Sequence, residues 1–245
     1  MSRRILFFDV LAVIAACLFV RLGVWQLHRL AERRARNALI SSRLQAAPAD
    51  ATSLGGDTAA VHYRRVVVRG APDYDHEMLL IERTRGGAPG VDLITPVHVP
   101  GHDSAVLVLR GWVYSPDGTT IAEQNYRESD STFTGYLEEL VGGATGGALP
   151  ENPRFLRQMQ QVAIAKVVSY PVFPFYVVVQ GDSAITAAGT ALERVDPPAL
   201  DEGPHMSYAI QWFSFAAIAL VGMGYVTVRS TKVEVPDWQA TVGTR

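Results

Sequence analysis

Two segments carry the residue types most able to do chemistry. One is HMSYAIQWF at 205–213, followed by Phe215. On a helix His205, Tyr208, Trp212 and Phe215 fall at i, i+3, i+7 and i+10, which is one face. That face begins with an imidazole and continues as an aromatic wall. The other is LGVWQLHRL at 22–30, where Trp25 and Gln26 set an indole beside an amide, with His28 and Arg29 next. An imidazole above an apolar aromatic slot is what a haem needs, an axial ligand and a dry pocket. An ordinary interfacial belt uses the same residues, so the types alone leave both readings open.

Other chemistry is missing or weak. There is no GxSxG, GxxxxGK[ST] or HExxH pattern. Cys17 is the only cysteine, which excludes an intrachain disulfide, a thiolate metal cage and CxxC redox chemistry. GGATGG at 142–147 lacks the lysine and the strand-to-helix context of a phosphate loop and reads as a flexible connector. His98 and His102 are four apart, but Pro100 and Gly101 between them make a turn, so a solvated pair is expected. His62 and His76 stand alone in polar, strand-flanking sequence and read as surface residues. No spacing of Asp, Glu or Ser implies catalysis, so the chain is not read as an enzyme. A net charge of −2 and a pI near 6.3 leave no nucleic-acid footprint.

The elements that must position these residues begin with two apolar stretches. The chain is 48% apolar and 19% charged, with a mean hydropathy of +0.11, and the excess sits at its two ends. Residues 5–27 give about 23 positions broken only by Asp9 and Arg21, enough to cross roughly 30 Å of hydrocarbon. Residues 205–228 form the second span, and from Tyr208 onward it has no formal charge. A cleaved secretory signal, or a lipoprotein site ending at Cys17, competes for the first stretch. Its apolar run continues well past Cys17, which suits an uncleaved span. Orientation signals conflict. Asp201 and Glu202 before the second span, with Arg229 and Lys232 after it, place the C-terminus in the cytoplasm. Arg29, Arg33, Arg34 and Arg36 after the first span argue the reverse. The second span is the cleaner of the two, so both termini are expected in the cytoplasm and the main domain outside it.

Residues 28–60 are expected to extend the first helix to about 44 and then form a small, polar linker over 47–60. Residues 61–204 should form the extracytoplasmic domain, and 229–245 a cytoplasmic tail. Strands are predicted at 63–69, 78–81, 91–99, 105–114, 132–140 and 175–180, with Pro96 suggesting a strand end. Asn152 as a cap, Pro153 in the first position and helical apolar spacing predict one main helix over 155–168. A lone helix among closely spaced strands implies an antiparallel α+β domain, perhaps barrel-like, between two terminal transmembrane helices.

Five pieces in order resemble the Surfeit locus protein one family, the Shy-type cytochrome c oxidase assembly factors. They are LGVWQLHRL at 22–30, YRRVVVRG at 63–70, GVDLITP at 90–96, VLVLRGWVY at 106–114 and HMSYAIQWF at 205–213. With the two-span layout they cover nearly the whole chain. The sequence departs at Leu109, where an asparagine often precedes RGW, at Tyr114, where proline is usual, and at Pro204. The resemblance implies an inner-membrane assembly factor that binds haem a and delivers it to the core subunit of a haem–copper oxidase. Its implied partners are that subunit, haem a synthase and the lipid bilayer. His205 is the implied ligand to the haem iron, with Tyr208, Trp212, Trp25 and Gln26 around it and Arg29 or Arg110 pairing with the propionates. The rival reading is a cofactor-free scaffold that stabilises an oxidase intermediate, in which Gly23, Ala209 and Ala216 pack against a partner.

Overall fold

The computed structural model describes residues 3–54, 57–142, 148–149, 151–181, 184–185 and 191–231. The chain divides into two compact units, one of Met1–Ala38 with Leu200–Arg245 and one of Leu39–Ala199. The first unit is built on α1 (Arg3–Gln45) and α4 (His205–Thr231), both long and apolar enough to cross a bilayer. Phe7, Phe8, Leu11 and Ile14 on α1, and Ile210, Ile218 and Val221 on α4, are large apolar side chains left exposed. That is the surface expected of a helix solvated by lipid. The extension of α1 beyond its apolar part is also present; from Leu39 onward it belongs to the second unit, where Leu44 packs on that unit's own core.

The second unit is a mixed sheet. Its strands are β1 (Ala49–Asp50), β2 (Arg65–Arg69), β3 (Ala71–Pro72), β4 (Met78–Arg85), β5 (Ala88–His98), β6 (Ala105–Tyr114), β7 (Thr132–Glu139), β8 (Phe155–Leu156) and β9 (Val172–Val179). The order is β1-β2-β7-β9-β6-β5-β4-β8, with β3 beside the end of β5, and β10 (Ala184–Ile185) pairs separately with β11 (Ala191–Leu192). AVLVLRGWVY forms β6 over the full predicted range, and all of it except Tyr114 is buried. A strand covered on both faces reads as a continuous apolar run, as this one does. One core gathers Met78, Leu80, Ile94, Leu107 and Ile164, a second Val66, Val106, Phe133 and Phe175, and a third Leu79, Val91 and Val113.

Four expectations need correction. The sheet is not purely antiparallel, because β1–β2, β4–β8 and β6–β9 run parallel. A barrel is not shown either: no pairing among the described residues joins β1 to β8.

The helix over 155–168 is the third. Phe155 and Leu156 instead extend along β4, where Leu79 N–H donates to the Arg154 carbonyl and Arg154 Nε to the Glu77 carbonyl. An open sheet edge outcompeted the local helical bonds. Helical turns survive only from Gln160 to Val168, around α3 (Gln161–Ile164), and Asn152 caps a short turn rather than a helix.

Pro96 does not end its strand. Its carbonyl accepts from Asp73 N–H on the β3 side, so its nitrogen faces that side too and the β5–β6 ladder loses nothing. The 47–60 linker also holds short elements: β1, a single 3-10 turn at Ala51–Ser53, and α2 (Thr58–Val61). In the GGATGG segment, residues 143–147 lie outside the described residues.

Candidate functional site

Small residues bring the two long helices together. Ala16, Gly23 and Leu30 are buried on α1 at intervals of seven, and Ala209 and Ala216 are buried on α4 at the same interval. A Cβ at Gly23 would stand 2.7 Å from the Phe213 ring, so only glycine admits that ring. Thr227 Oγ1 donates to Asp9 at 3.1 Å near one end of the pair. Near the other, Arg34 makes a two-pronged ion pair with Glu202 at 2.7 and 2.8 Å. Beside it Arg33 and Asn37 both donate to the Asp201 carbonyl. These contacts fix α1 and α4 as antiparallel. Gly23, Ala209 and Ala216 are therefore taken up inside the chain, which removes the packing positions assigned to a partner in the scaffold reading.

His205 opens α4, and its Nδ1 lies 2.9 Å from Gln26 Oε1 on α1. With the amide oxygen as acceptor, Nδ1 carries the proton and Nε2 keeps its lone pair. His205 makes no other hydrogen bond among the described residues. Below it the aromatic wall is made from both helices. Phe19 stacks on Trp212 with centroids 5.8 Å apart at 23°, and Phe215 completes the cluster 5.7 Å from Phe19. On its other side His205 borders a groove lined by Arg29, Glu32, Arg33 and Arg36. Arg29 pairs with Glu32 at 2.6 Å, whereas Arg36 has no ion pair among the described residues. The set offers one imidazole nitrogen, an apolar wall and cationic side chains.

Other expected site residues fall differently. Trp25 is 53% exposed and lines a shallow groove with Leu18, Arg21 and Leu22; the ring opposite Trp212 is Phe19. Tyr208 is exposed and makes no ring contact among the described residues. Arg110, expected beside Arg29 as a propionate partner, is 0% exposed and lies in the core of the sheet unit. Its Nε donates to Thr95 Oγ1, Nη2 to Glu77, and Nη1 to Glu128 and to the Tyr126 carbonyl. Burial works to lower this guanidinium, but Glu77, Tyr74 and Glu128 together more than offset that and hold it above its ordinary range. Its donors are spent inside the fold. Nor is His62 a bare surface residue: it pairs with Glu138 at 2.7 Å and stacks on Tyr63. His76 donates to Asp73 at 2.8 Å, and His98 sits 3.5 Å from the same carboxylate. No group of three metal-ligating side chains forms among the described residues.

Phe19 was missed by the sequence reading, and Arg36 entered it only as an orientation signal, although a site signal existed for both. Phe19, Gly23 and Gln26 lie at i, i+4 and i+7, and Arg29 and Arg36 at i and i+7, so each set shares a face.

The sequence model of the SURF1 family matches residues 13–217. Uncharacterised SURF1-like proteins of Mycobacterium bovis and Mycobacterium tuberculosis are 27% identical over 222 residues, covering 84% of this chain and 77% of theirs. A SURF1-like protein of Monosiga brevicollis is likewise 27% identical, over 81% of this chain and 79% of its own. The same ordered segments that bring Gln26 and His205 together lie within the matched range, and the chain belongs to the SURF1 family, with the general role in oxidase assembly that membership implies.

Proposed function

We propose that the protein binds haem a as cargo and delivers it to the core subunit of a haem–copper oxidase, acting as a chaperone in respiratory-chain biogenesis and not as an enzyme. The observation that carries this reading is the His205–Gln26 hydrogen bond, which orients the ring and leaves Nε2 as a free nitrogen ligand. Phe19, Trp212 and Phe215 would shield an apolar macrocycle, with Tyr208 and Trp25 at its margin. Arg29 and Arg36, in the groove beside His205, would take the propionates. One weak ligand in an open groove suits a carrier, which must shield its cargo and then release it. We place both termini in the cytoplasm and the sheet unit outside, in the inner membrane, with haem a synthase as the donor and the lipid bilayer as the surroundings. The antiparallel helix pair accords with both termini sharing a side.

Purifying the protein from cells that make haem a and recording its visible spectrum tests the reading. His205→Ala should leave the protein inserted and folded, because the residue opens a helix rather than filling a core. It should lose or strongly shift the haem spectrum, and the oxidase should mature with less haem. An unchanged spectrum and stoichiometry would remove His205 as the ligand and leave the exposed His28 as the next candidate.

A further inference from the structure

The antiparallel helix pair carries a second groove, at the end away from His205, that the haem reading does not use. It is an open cleft of about 320 Å³, lined by Phe8, Asp9 and Ala12 on α1 and by Gly222, Met223 and Val226 on α4. Its one charge is Asp9. That residue and Arg21 are the only formal charges in the apolar stretch 5–27, and Asp9 lies about 6 Å along the helix from its start. Within a bilayer an ionisable side chain is expensive unless it pairs, and such residues turn toward another helix. Asp9 does so: it falls one heptad before the buried Ala16 and two before Gly23, on the face that meets α4.

The pair meets this acid only in part. Thr227 Oγ1 reaches Asp9 Oδ1 at 3.1 Å, but the Met223 carbonyl competes for the same hydroxyl at 3.0 Å. A hydroxyl has one proton and serves one acceptor at a time. Asp9 has no other hydrogen bond and no ion pair among the described residues, so its charge and its second oxygen stay unmatched. The rest of the cleft suits a helix. Ala12 and Gly222 are small, and a Cβ at Gly222 would meet nothing within 4 Å, so a third backbone can come close to both helices. Phe8, Met223 and Val226 supply apolar walls. Lipid tails would cover those walls but bring no donor to the acid. A neutral donor would fill a lone pair and leave the charge; a cationic one meets both. We propose that this groove docks a transmembrane helix of a partner protein through a lysine or arginine that pairs with Asp9.

The probes are a leucine host helix with one lysine about 6 Å inside its hydrophobic end, and the same helix with leucine or glutamate there. Each carries an energy-transfer acceptor, and the full-length protein carries the donor at its amino terminus, in phosphatidylcholine vesicles. The lysine helix should associate about tenfold more tightly than the leucine helix, the scale of a hydrogen bond to a charged group. The glutamate helix should do no better than leucine. Asp9→Asn should erase the lysine preference. Gly222→Leu should weaken the lysine helix by closing the cleft while leaving the circular dichroism unchanged, because a side chain there touches neither helix. Four results overturn the proposal. The first is equal association of the lysine and leucine helices, and the second a lysine preference that survives in Asp9→Asn. The third is its loss when phosphatidylethanolamine replaces phosphatidylcholine, meaning that a lipid ammonium takes the acid. The fourth is Asp9-dependent energy transfer between donor- and acceptor-labelled copies, meaning that a second copy fills the cleft.

Discussion

Arg110 on β6 and Asp92 on β5 are charges buried beside β-bulges of one sheet, yet only Arg110 has its hydrogen bonds made. Arg110 is itself the extra residue of its bulge, between Gly111 and Leu109, which face Leu93 and Ile94. The bulge turns its guanidinium onto Glu77, Thr95 and Glu128, and the ring of Tyr74 lies 5.1 Å away. At Asp92 the bulge lies on the neighbouring strand and delivers Arg83 to its side without completing a hydrogen bond. Burial raises the Asp92 carboxyl to about 6, against the pull of Arg83 and Arg85. The same backbone device thus yields a closed ion cluster in one place and an open, unsatisfied one in the other.

The comparison can be broken by substitution. The largest effect is expected at Arg110→Met, which leaves Glu77 and Glu128 buried without their shared cation. A loss of about 3–5 kcal/mol is expected from denaturant unfolding of the full chain. A loss under about 1 kcal/mol would mean that the cluster is not structural.

Asp92→Asn should act in the opposite direction. The folded carboxyl titrates near 6 and the unfolded one near 3.8, so between those values the folded state holds the extra proton. Stability of the parent protein therefore falls as pH rises from about 4 to about 6, and the full cost is present above that window. Removing the charge should stabilise by about 3 kcal/mol at pH 7.5, and the gain should vanish at pH 4. No gain at pH 7.5 would show that the carboxylate is paired after all.

The smallest effect is expected at Thr95→Val. Thr95 accepts from Arg110 and donates to Glu77, so deleting its hydroxyl should cost about 1 kcal/mol by thermal unfolding while every ion pair survives. A cost as large as that of Arg110→Met would move the weight of the cluster from charge to hydroxyl.

Much of this was legible in the sequence, unevenly. Apolar runs located both long helices and strand β6, because burial on all sides leaves a direct compositional mark. The segment 155–168 was misread because its spacing suits a helix, while the deciding contact is the edge of β4, a strand more than seventy positions earlier. At the charged sites half the information was present. Arg110 inside AVLVLRGWVY and Asp92 inside GVDLITP are charges in strands that read as buried, so each needs an explanation. Only the fold tells that Arg110 finds Glu77 and Glu128, and that Asp92 finds only the looser ion pair with Arg83 at 3.5 Å. At the helix pair His205 and Gln26 were both singled out, but their hydrogen bond and the stacking of Phe19 on Trp212 required the antiparallel register.

The bond between Gln26 and His205 also sets a clock. Its two ends are 179 residues apart, so the ribosome has released one long before it makes the other. At about 5–20 residues per second, roughly 10–40 s separate them. Throughout that interval α1 has no α4 beside it, and Gly23 waits without the ring of Phe213. The pairing of the helices is therefore a late, long-range step of biogenesis, and a nascent chain stopped before residue 205 has Gln26 but no imidazole to hold.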